Sequence, residues 1–369
     1  MIERVIIENF KSIFKLNLEL EPINLLIGAN GVGKSNFISF FQLSNSIYEN
    51  RFQEYIGNNF DKLLYFGRKR SKSIFGLLDF EGKYAFEYRL VPSDRDNSGY
   101  ISEYRFSANR SDSRNVDYAK WSLLQSQSGM SRESSLDKTE RPEGGVYPFV
   151  QPANEYLRTF KVYHFHDTSK DSRLKGMNEV NDNRYLRENG ENLAAFLFFL
   201  SQKHPIEFGN IEHQIRSVAP FFFKFDLERD RLHPDQIELR WLEKGSADYF
   251  NAYDLSDGTL RFMALTTLLM QPELPKTIII DEPELGLHPF AINKLSAMIK
   301  EAAAKGSQVI VSTQSVNLID NFDPEHIIAV DREDNQSVFR RLRSEQLTEW
   351  LEDYTLGDLW NKNVIGARP

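Results

Sequence analysis

The sequence predicts an α/β fold: a mixed, largely parallel sheet with an antiparallel β lobe on its N-terminal side and a short helical insertion. Three observations predict it. Ile23–Ile27 is apolar in succession rather than in alternation, as in a strand buried on both faces, and runs straight into a glycine loop. The final third alternates strand and helix, the βαβ order of a parallel sheet. Between these regions, Ser73–Phe80 and Lys83–Val91 pair around Glu81-Gly82, the pattern of an antiparallel hairpin.

Taken in order, Ile2, Val5 and Ile7 and then Leu16, Leu18 and Leu20 predict two strands at a sheet edge. A helix is expected from Lys34 to about Ile47, and a further strand at Tyr100–Phe106. From Pro92 to Pro152 aliphatic residues are few and Ser, Asp, Arg, Asn and Gly many, which predicts a loop-rich insertion. Lys161–Phe165 reads as a strand, and Asn192–Lys203 and Ile206–Val218 as helices. The last third reads as helix Leu260–Met270, strand Thr277–Ile280, helix Phe290–Ala304, and strands Gln308–Val311 and His326–Val330. No heptad repeat is sustained, which excludes a long coiled-coil arm. The expected organisation is residues 1–91 as the N-terminal half of a catalytic head, 92–160 as a polar insertion, 161–250 as a helical insertion or lid, and 251–369 as the C-terminal half.

Composition narrows the function. Forty-one per cent of the residues are hydrophobic, enough for a packed core, and 53 acidic against 45 basic residues leave a net charge of −8. That balance argues against a chain wrapped all over in nucleic acid, though not against a local basic patch. The absence of cysteine excludes disulfides, a thiolate zinc site and a thiol nucleophile, in keeping with a reducing cytosol. The N-terminal stretch lacks the build of a signal peptide, and the longest apolar runs, Leu193–Leu200 and Thr277–Ile280, are too short to span a membrane. A cytoplasmic location and no membrane partner are expected.

The strongest motif is Gly28-Ala-Asn-Gly31-Val-Gly33-Lys34-Ser35, a complete G-x-x-x-x-G-K-S after a buried strand and before a helix. Its glycines let backbone amides curl around phosphate oxygens, and the helix N-terminus adds partial positive charge. Lys34 would reach the β and γ phosphates of ATP, and Ser35 would offer a hydroxyl to Mg²⁺. Gly28, Ala29, Asn30, Gly31, Val32, Gly33, Lys34, Ser35 and Asn36 are therefore the nucleotide-binding candidates. A glycine-rich turn without ligand is the alternative.

Thr277-Ile-Ile-Ile-Asp281-Glu282-Pro283 delivers two adjacent carboxylates to the end of a strand. Asp281 suits the magnesium shell, and Glu282 suits a general base that polarises the attacking water. Alone, such a string is more often a strand ending at a solvated turn; beside the glycine loop, catalysis becomes the better reading.

Leu255-Ser256-Asp257-Gly258-Thr259-Leu260-Arg261 opens a helix upstream of the acidic pair. By itself it reads as a serine cap on an apolar helix. In position it resembles the Leu-Ser-Gly-Gly-Gln signature of the ABC class, with Asp257 and Thr259 where glycine and glutamine are usual. The resemblance implies that Ser256 and Gly258 of one subunit close on the γ phosphate held by another.

Pro283-Glu284-Leu285-Gly286-Leu287-His288-Pro289 resembles the D-loop of RecF and SMC heads, with His288 read as a turn and packing residue rather than a catalyst. After the strand Gln308–Val311, Gln314 stands where relatives usually carry a switch histidine. Glutamine donates to a phosphate oxygen but cannot become cationic, so slow turnover is expected. No Q-loop glutamine is identifiable, Gln42 lying inside the first helix.

With the opening Ile7-Glu8-Asn9-Phe10-Lys11-Ser12 and the ending Tyr354-Thr-Leu-Gly-Asp-Leu-Trp360, the chain resembles compact ABC-class ATPases of the RecF/SMC/OLD branch over nearly its whole length. The resemblance implies a P-loop NTPase head of the ABC type and a homodimer or higher homo-oligomer closing around ATP. It also implies control of a separate effector, a nuclease or toxin, often in anti-phage defence. The alternative it leaves open is a RecF/SMC-like ATPase that grips DNA in repair or chromosome maintenance; a transporter ATPase fits less well. The stretch after Gln314 is too short for the nuclease domain that OLD-type relatives append, so this chain is not expected to cut DNA.

Weaker features remain. His164 and His166 fall on one side of a strand at a spacing that suits a metal, but no third ligand is evident in the sequence. A polar strand face leading into the Asp167-Thr168 turn, or a place beside the nucleotide, are the alternatives. The clusters Arg68-Lys69-Arg70 with Lys72, and Arg340-Arg341 with Arg343, read as solvated surface or as DNA contacts.

Overall fold

The computed structural model describes residues 1–108, 122–128, 156–157, 161–169, 171–246 and 248–368. Strands β1 (Ile2–Phe10) and β2 (Ile13–Glu19) form a hairpin, and β3 (Ile23–Ile27) leads into helix α1 (Lys34–Tyr48) and the short α2 (Phe52–Ile56). Then come β4 (Ile74–Phe80), β5 (Tyr84–Pro92), β6 (Gly99–Ala108), β7 (Ser122–Ser128), β8 (Lys161–Tyr163) and β9 (Asn178–Glu179). Helices α3 (Leu193–Lys203) and α4 (Pro205–Val218) precede β10 (Phe222–Phe225), β11 (Gln236–Ile237), β12 (Arg240–Glu243) and β13 (Tyr249–Asn251). The last third runs α5 (Asp257–Met270), β14 (Thr277–Asp281), α6 (Pro289–Ala304), β15 (Gln308–Thr313), α7 (Val316–Ile319), β16 (Ile327–Glu333) and β17 (Gln336–Arg341).

Among the described residues two six-stranded sheets dominate, one antiparallel in the order β2-β1-β4-β5-β6-β7 and one mixed in the order β17-β16-β3-β15-β14-β8. In the second, β16, β3, β15, β14 and β8 are parallel and only β17 runs against its neighbour. Its strands carry apolar side chains on both faces. Leu26, Ile279, Ile310 and Ile328 join a core shared with α1 and the antiparallel sheet, while Leu25, Ile278, Ile280, Val309 and Val311 join a core shared with α5 and α6. Helix α1 is thus clamped between the sheets by Phe37, Phe40 and Phe41, all fully buried. Truncating one of these phenylalanines to alanine would cost about 3–5 kcal/mol.

Three expectations change in detail. Strand β1 is not at a sheet edge but is paired on both sides, by β2 and β4. Strand β8 ends at Tyr163 rather than Phe165, because the His164 amide leaves the ladder to donate to the Glu188 carbonyl, 2.9 Å away. The segment expected to be a helical insertion also holds the small sheets β10-β12-β13 and β9-β11, whose two- to four-residue strands are too short to show a period in sequence. Within the polar insertion, residues 109–121, 129–155 and 158–160 lie outside the described residues.

Candidate active site

Parallel strands β3, β14 and β15 end side by side, and the turns that follow them carry the site. After β3 the chain winds through Gly28, Gly31 and Gly33, all at positive φ, into α1. Gly33 is required by contact as well as by its φ of 121°: a Cβ there would strike Ser337 Oγ. The loop is latched from two distant places. Asn36 Nδ2 donates to Ser12 Oγ at 2.7 Å, Ser12 and Ser337 share a hydrogen bond of 2.6 Å, and Ser337 Oγ donates to the Val32 carbonyl. No side chain caps the start of α1, and Asn30, Gly31 and Ser35 are exposed there. That leaves helix-end amides and a hydroxyl facing outward, the makings of an anion site.

Lys34 is 5% exposed and its Nζ donates to the carbonyls of Gly28, at 2.5 Å, and Ala29, at 3.0 Å. Burial holds the ammonium below its usual pKa, while Glu282, Asp281 and Glu284 push the other way. The loop lysine therefore sits in the field of the strand-end carboxylates.

Those carboxylates are held by β15 and the turn beyond it. Ser312 Oγ donates to Asp281, and the Glu282 amide donates to the Ser312 carbonyl at 2.9 Å. Glu282 adopts φ 41°, a left-handed conformation that costs a non-glycine residue about 1–3 kcal/mol and is tolerated where the surroundings enforce it. Gln314 Nε2 donates to Glu282 Oε1. Glu284 accepts from Thr313 Oγ1 at 2.6 Å and from the Gln314 amide at 2.9 Å, and its second oxygen is buried without a partner. Burial pushes this carboxyl up, with Glu282 adding to the effect against the two donors. The oxygen donors Ser35 and Asp281 suit a hard cation such as Mg²⁺.

Ser256 is exposed and caps α5, accepting from the Thr259 amide at 3.2 Å. Gly258 packs so closely on the next turn that a Cβ would strike the Gly286 carbonyl oxygen. Arg261, one turn along α5, donates to the carbonyls of Phe165 (2.9 Å), His166 (3.1 Å) and Leu285. It ties α5 both to the turn after Glu282 and to the segment following β8 that carries the two histidines. Arg261 closes the string Leu255–Arg261, and its three carbonyl partners come from outside that string.

Roles not assigned from the sequence are those of Ser312 and Ser337, which lie in no quoted motif, and of Glu284, which lies in the D-loop-like string. His164 meets Gln42, with Nε2 to Nε2 at 2.9 Å, so the glutamine inside α1 does reach the site. Asp281 supplies the third donor that the sequence did not reveal beside His164 and His166. His288 caps α6, its Nδ1 accepting from the Phe290 amide at 3.3 Å. The basic clusters are largely engaged internally. Arg68 binds Asp61 and the Ser93 and Asp96 carbonyls, and Arg341 binds Asn24 and the Glu325 and Glu19 carbonyls.

Residues 23–320, most of the chain, match the family described as "AAA domain, putative AbiEii toxin, Type IV TA system". The chain belongs to this AAA-domain family. Shorter stretches match curated proteins. The Old nuclease of Escherichia phage P2 is 38% identical over 72 residues, 20% of this chain and 12% of the nuclease. The energy-coupling factor transporter ATP-binding protein EcfA of Methanocaldococcus jannaschii is 35% identical over 68 residues, 18% of this chain and 23% of that protein. The AAA-domain chain thus spans less than a quarter of either relative.

In fold, it is similar to an Smc head solved in complex with the C-terminal winged-helix domain of ScpA, with a TM-score of 0.63 at 17% identity, over 94% of this chain and 99% of that one. A Pyrococcus furiosus Smc head with an extended coiled coil, bound to the C-terminal domain of ScpA, gives 0.56 at 15% identity, over 95% and 98%. The AAA-domain chain therefore has the SMC-head form of the P-loop ATPase fold, with the antiparallel N-terminal sheet and mixed central sheet expected of it. Among the described residues no helix is long and apolar enough to cross a membrane.

Proposed function

We propose that the chain binds ATP on Gly28–Asn36, hydrolyses it slowly, and uses the closing of two copies around the nucleotide to govern a separate effector protein. The observation that carries this reading is a division of labour within one chain. The phosphate loop, Lys34 and three carboxylates are gathered at one place, whereas Ser256 is exposed, with Tyr253 three residues before it also exposed and its neighbour Gly258 packed on a turn whose Leu285 is exposed. A signature so displayed suits the γ phosphate of a second copy.

In this reading the amides of residues 28–36 and Lys34 bind and orient the phosphates. Mg²⁺ held through Ser35 and Asp281 would neutralise charge on the β and γ oxygens. Glu282 takes the proton of the attacking water, and Gln314, bonded to it, holds the carboxylate in place without adding positive charge. Arg261 transmits the state of the signature helix to the turn beyond Glu282.

The reading of an effector rests on the family description, which names a toxin, and on the Smc heads solved with a bound protein domain. Defence against phage and a cytoplasmic site of action belong to the same proposal. The test is to purify wild type and Glu282→Gln from the native cell, weigh each with ATP, and identify what accompanies it. An ATP-dependent dimer carrying a second protein supports the proposal. An ATP-dependent dimer carrying only nucleic acid overturns the effector part in favour of DNA binding, and a monomer under all conditions overturns the paired site.

A further inference from the structure

We infer that His164, His166 and Asp281 form a binding site for a borderline dication of the Zn²⁺ and Co²⁺ class. The register of two neighbouring strands creates it. β8 and β14 are parallel, with Tyr163 opposite Ile280, so the residues that follow, His164 just past β8 and Asp281 at the end of β14, come side by side. His166, two residues on, returns to the same side of the extended chain, its ring centroid 6.1 Å from that of His164. The donor atoms of all three lie within 4.8 Å of one another, and all three residues are half-buried. Side-chain rotation alone can close that spacing onto one ion with bonds of about 2.0–2.2 Å.

The backbone beneath the histidines is already fixed. The His164 amide is bound to Glu188, and the carbonyls of Phe165 and His166 are both held by Arg261. Gln42 Nε2 lies 2.9 Å from the His164 ring Nε2, a hydrogen-bonding partner beside that ligand. Ligands held this way are preorganised, and partners beyond the ligands commonly govern about 10–100-fold in affinity.

The donor set chooses the ion. Two imidazoles and one carboxylate suit Zn²⁺, Co²⁺ or Ni²⁺, while Mg²⁺ prefers oxygen and gives up water reluctantly. The site goes beyond the nucleotide reading and does not need it, since Asp281 is the one group the two share. Where that reading also holds, the dication and magnesium-bound ATP draw on the same carboxylate and each weakens the other's binding.

The test uses the full chain, stripped with a chelator and titrated with Co²⁺ in the absence of nucleotide. Expected are one visible band per chain, displaced by Zn²⁺ and not by Mg²⁺. His164→Ala and His166→Ala should each weaken Co²⁺ binding by about tenfold or more. His233→Ala, in an exposed turn, should leave it unchanged. Equal uptake by wild type and both alanine variants would mean an adventitious ion only and would overturn the site, as would no uptake by wild type. X-ray absorption of the wild-type Zn²⁺ complex needs no variant: two imidazole shells support the site and an all-oxygen shell overturns it. Magnesium-dependent binding of a fluorescent ATP analogue is measured alongside. A chain that binds the analogue but no Co²⁺ defeats this inference alone, and the reverse result defeats the nucleotide reading alone.

Discussion

The glycine loop at Gly28–Ser35 and the turn at Ser256–Thr259 are both short, glycine-bearing and placed at the start of a helix, yet the fold treats them differently. The loop at Gly28–Ser35 is latched by Ser12, Asn36 and Ser337, and its lysine is buried among backbone carbonyls and acidic neighbours. At the turn Ser256–Thr259 the first two residues are exposed, and the serine hydroxyl bonds only its own helix start, through the Thr259 amide and hydroxyl, among the described residues. The first is finished by its own chain. The second is held through Gly258 against Gly286, Arg261 against Leu285 and Asp257 beside Lys175, and leaves the Ser256 hydroxyl exposed. The lesson is that a motif's partner can be read from which of its sides the fold has immobilised.

The largest expected effect would break the comparison outright. Lys34→Ala should lower ATP affinity by about 100-fold or more, measured by equilibrium dialysis, because a charge-assisted contact to phosphate is lost. A small change would mean that the finished loop is not the phosphate site. Glu282→Gln should lower hydrolysis by about 100- to 10,000-fold with ATP still bound, the range for removing a general base. Retention of wild-type turnover would move the base elsewhere.

Ser256→Arg addresses the exposed side. It should leave ATP binding per chain within about threefold, a difference of roughly 0.7 kcal/mol, while abolishing ATP-dependent dimer formation by light scattering. Loss of binding in the monomer would erase the distinction between the two regions.

A change remote from both calibrates the measurements. Asp79 is 2% exposed, with one oxygen lacking a partner, and burial followed by Glu3 lifts its carboxyl pKa from 3.8 to about 6. A raised acid favours the folded state while protonated, so its contribution is complete below about pH 4 and lost as pH climbs through about 6. Asp79→Asn should remove that decline and stabilise the chain at neutral pH by about 2 kcal/mol in thermal unfolding, with ATP binding unaltered. The smallest effect belongs to Gln314→His, expected to raise turnover less than about tenfold by supplying a cation near the transferred phosphate. No rise, at equal ATP affinity, would show that glutamine at this position does not limit the rate.

How much of this was legible in the sequence follows from how the chemistry is spaced. The phosphate loop and the pair Asp281-Glu282 occupy consecutive residues, so strand, turn and side chains appear as one string. The latch of Ser12, Asn36 and Ser337, the grip of Arg261 on Phe165 and His166, and the meeting of His164 with Asp281 each join residues tens to hundreds apart. No local period encodes such contacts; they arise only from the register of β8 on β14 and of β17 beside β16. The brief strands β10 to β13 escaped for another reason, since two to four residues cannot establish an alternation.

The Ser337 latch bears on the order of synthesis. A ribosome completes residues 28–35 early and must make some three hundred more before Ser337 emerges to hold Val32 and Ser12. A nascent chain therefore carries the loop long before its clasp, and on the proposed reading full grip on a phosphate would arrive only once the closing hairpin has been translated and docked. Premature termination anywhere ahead of that hairpin yields fragments with an intact motif and no fastened site.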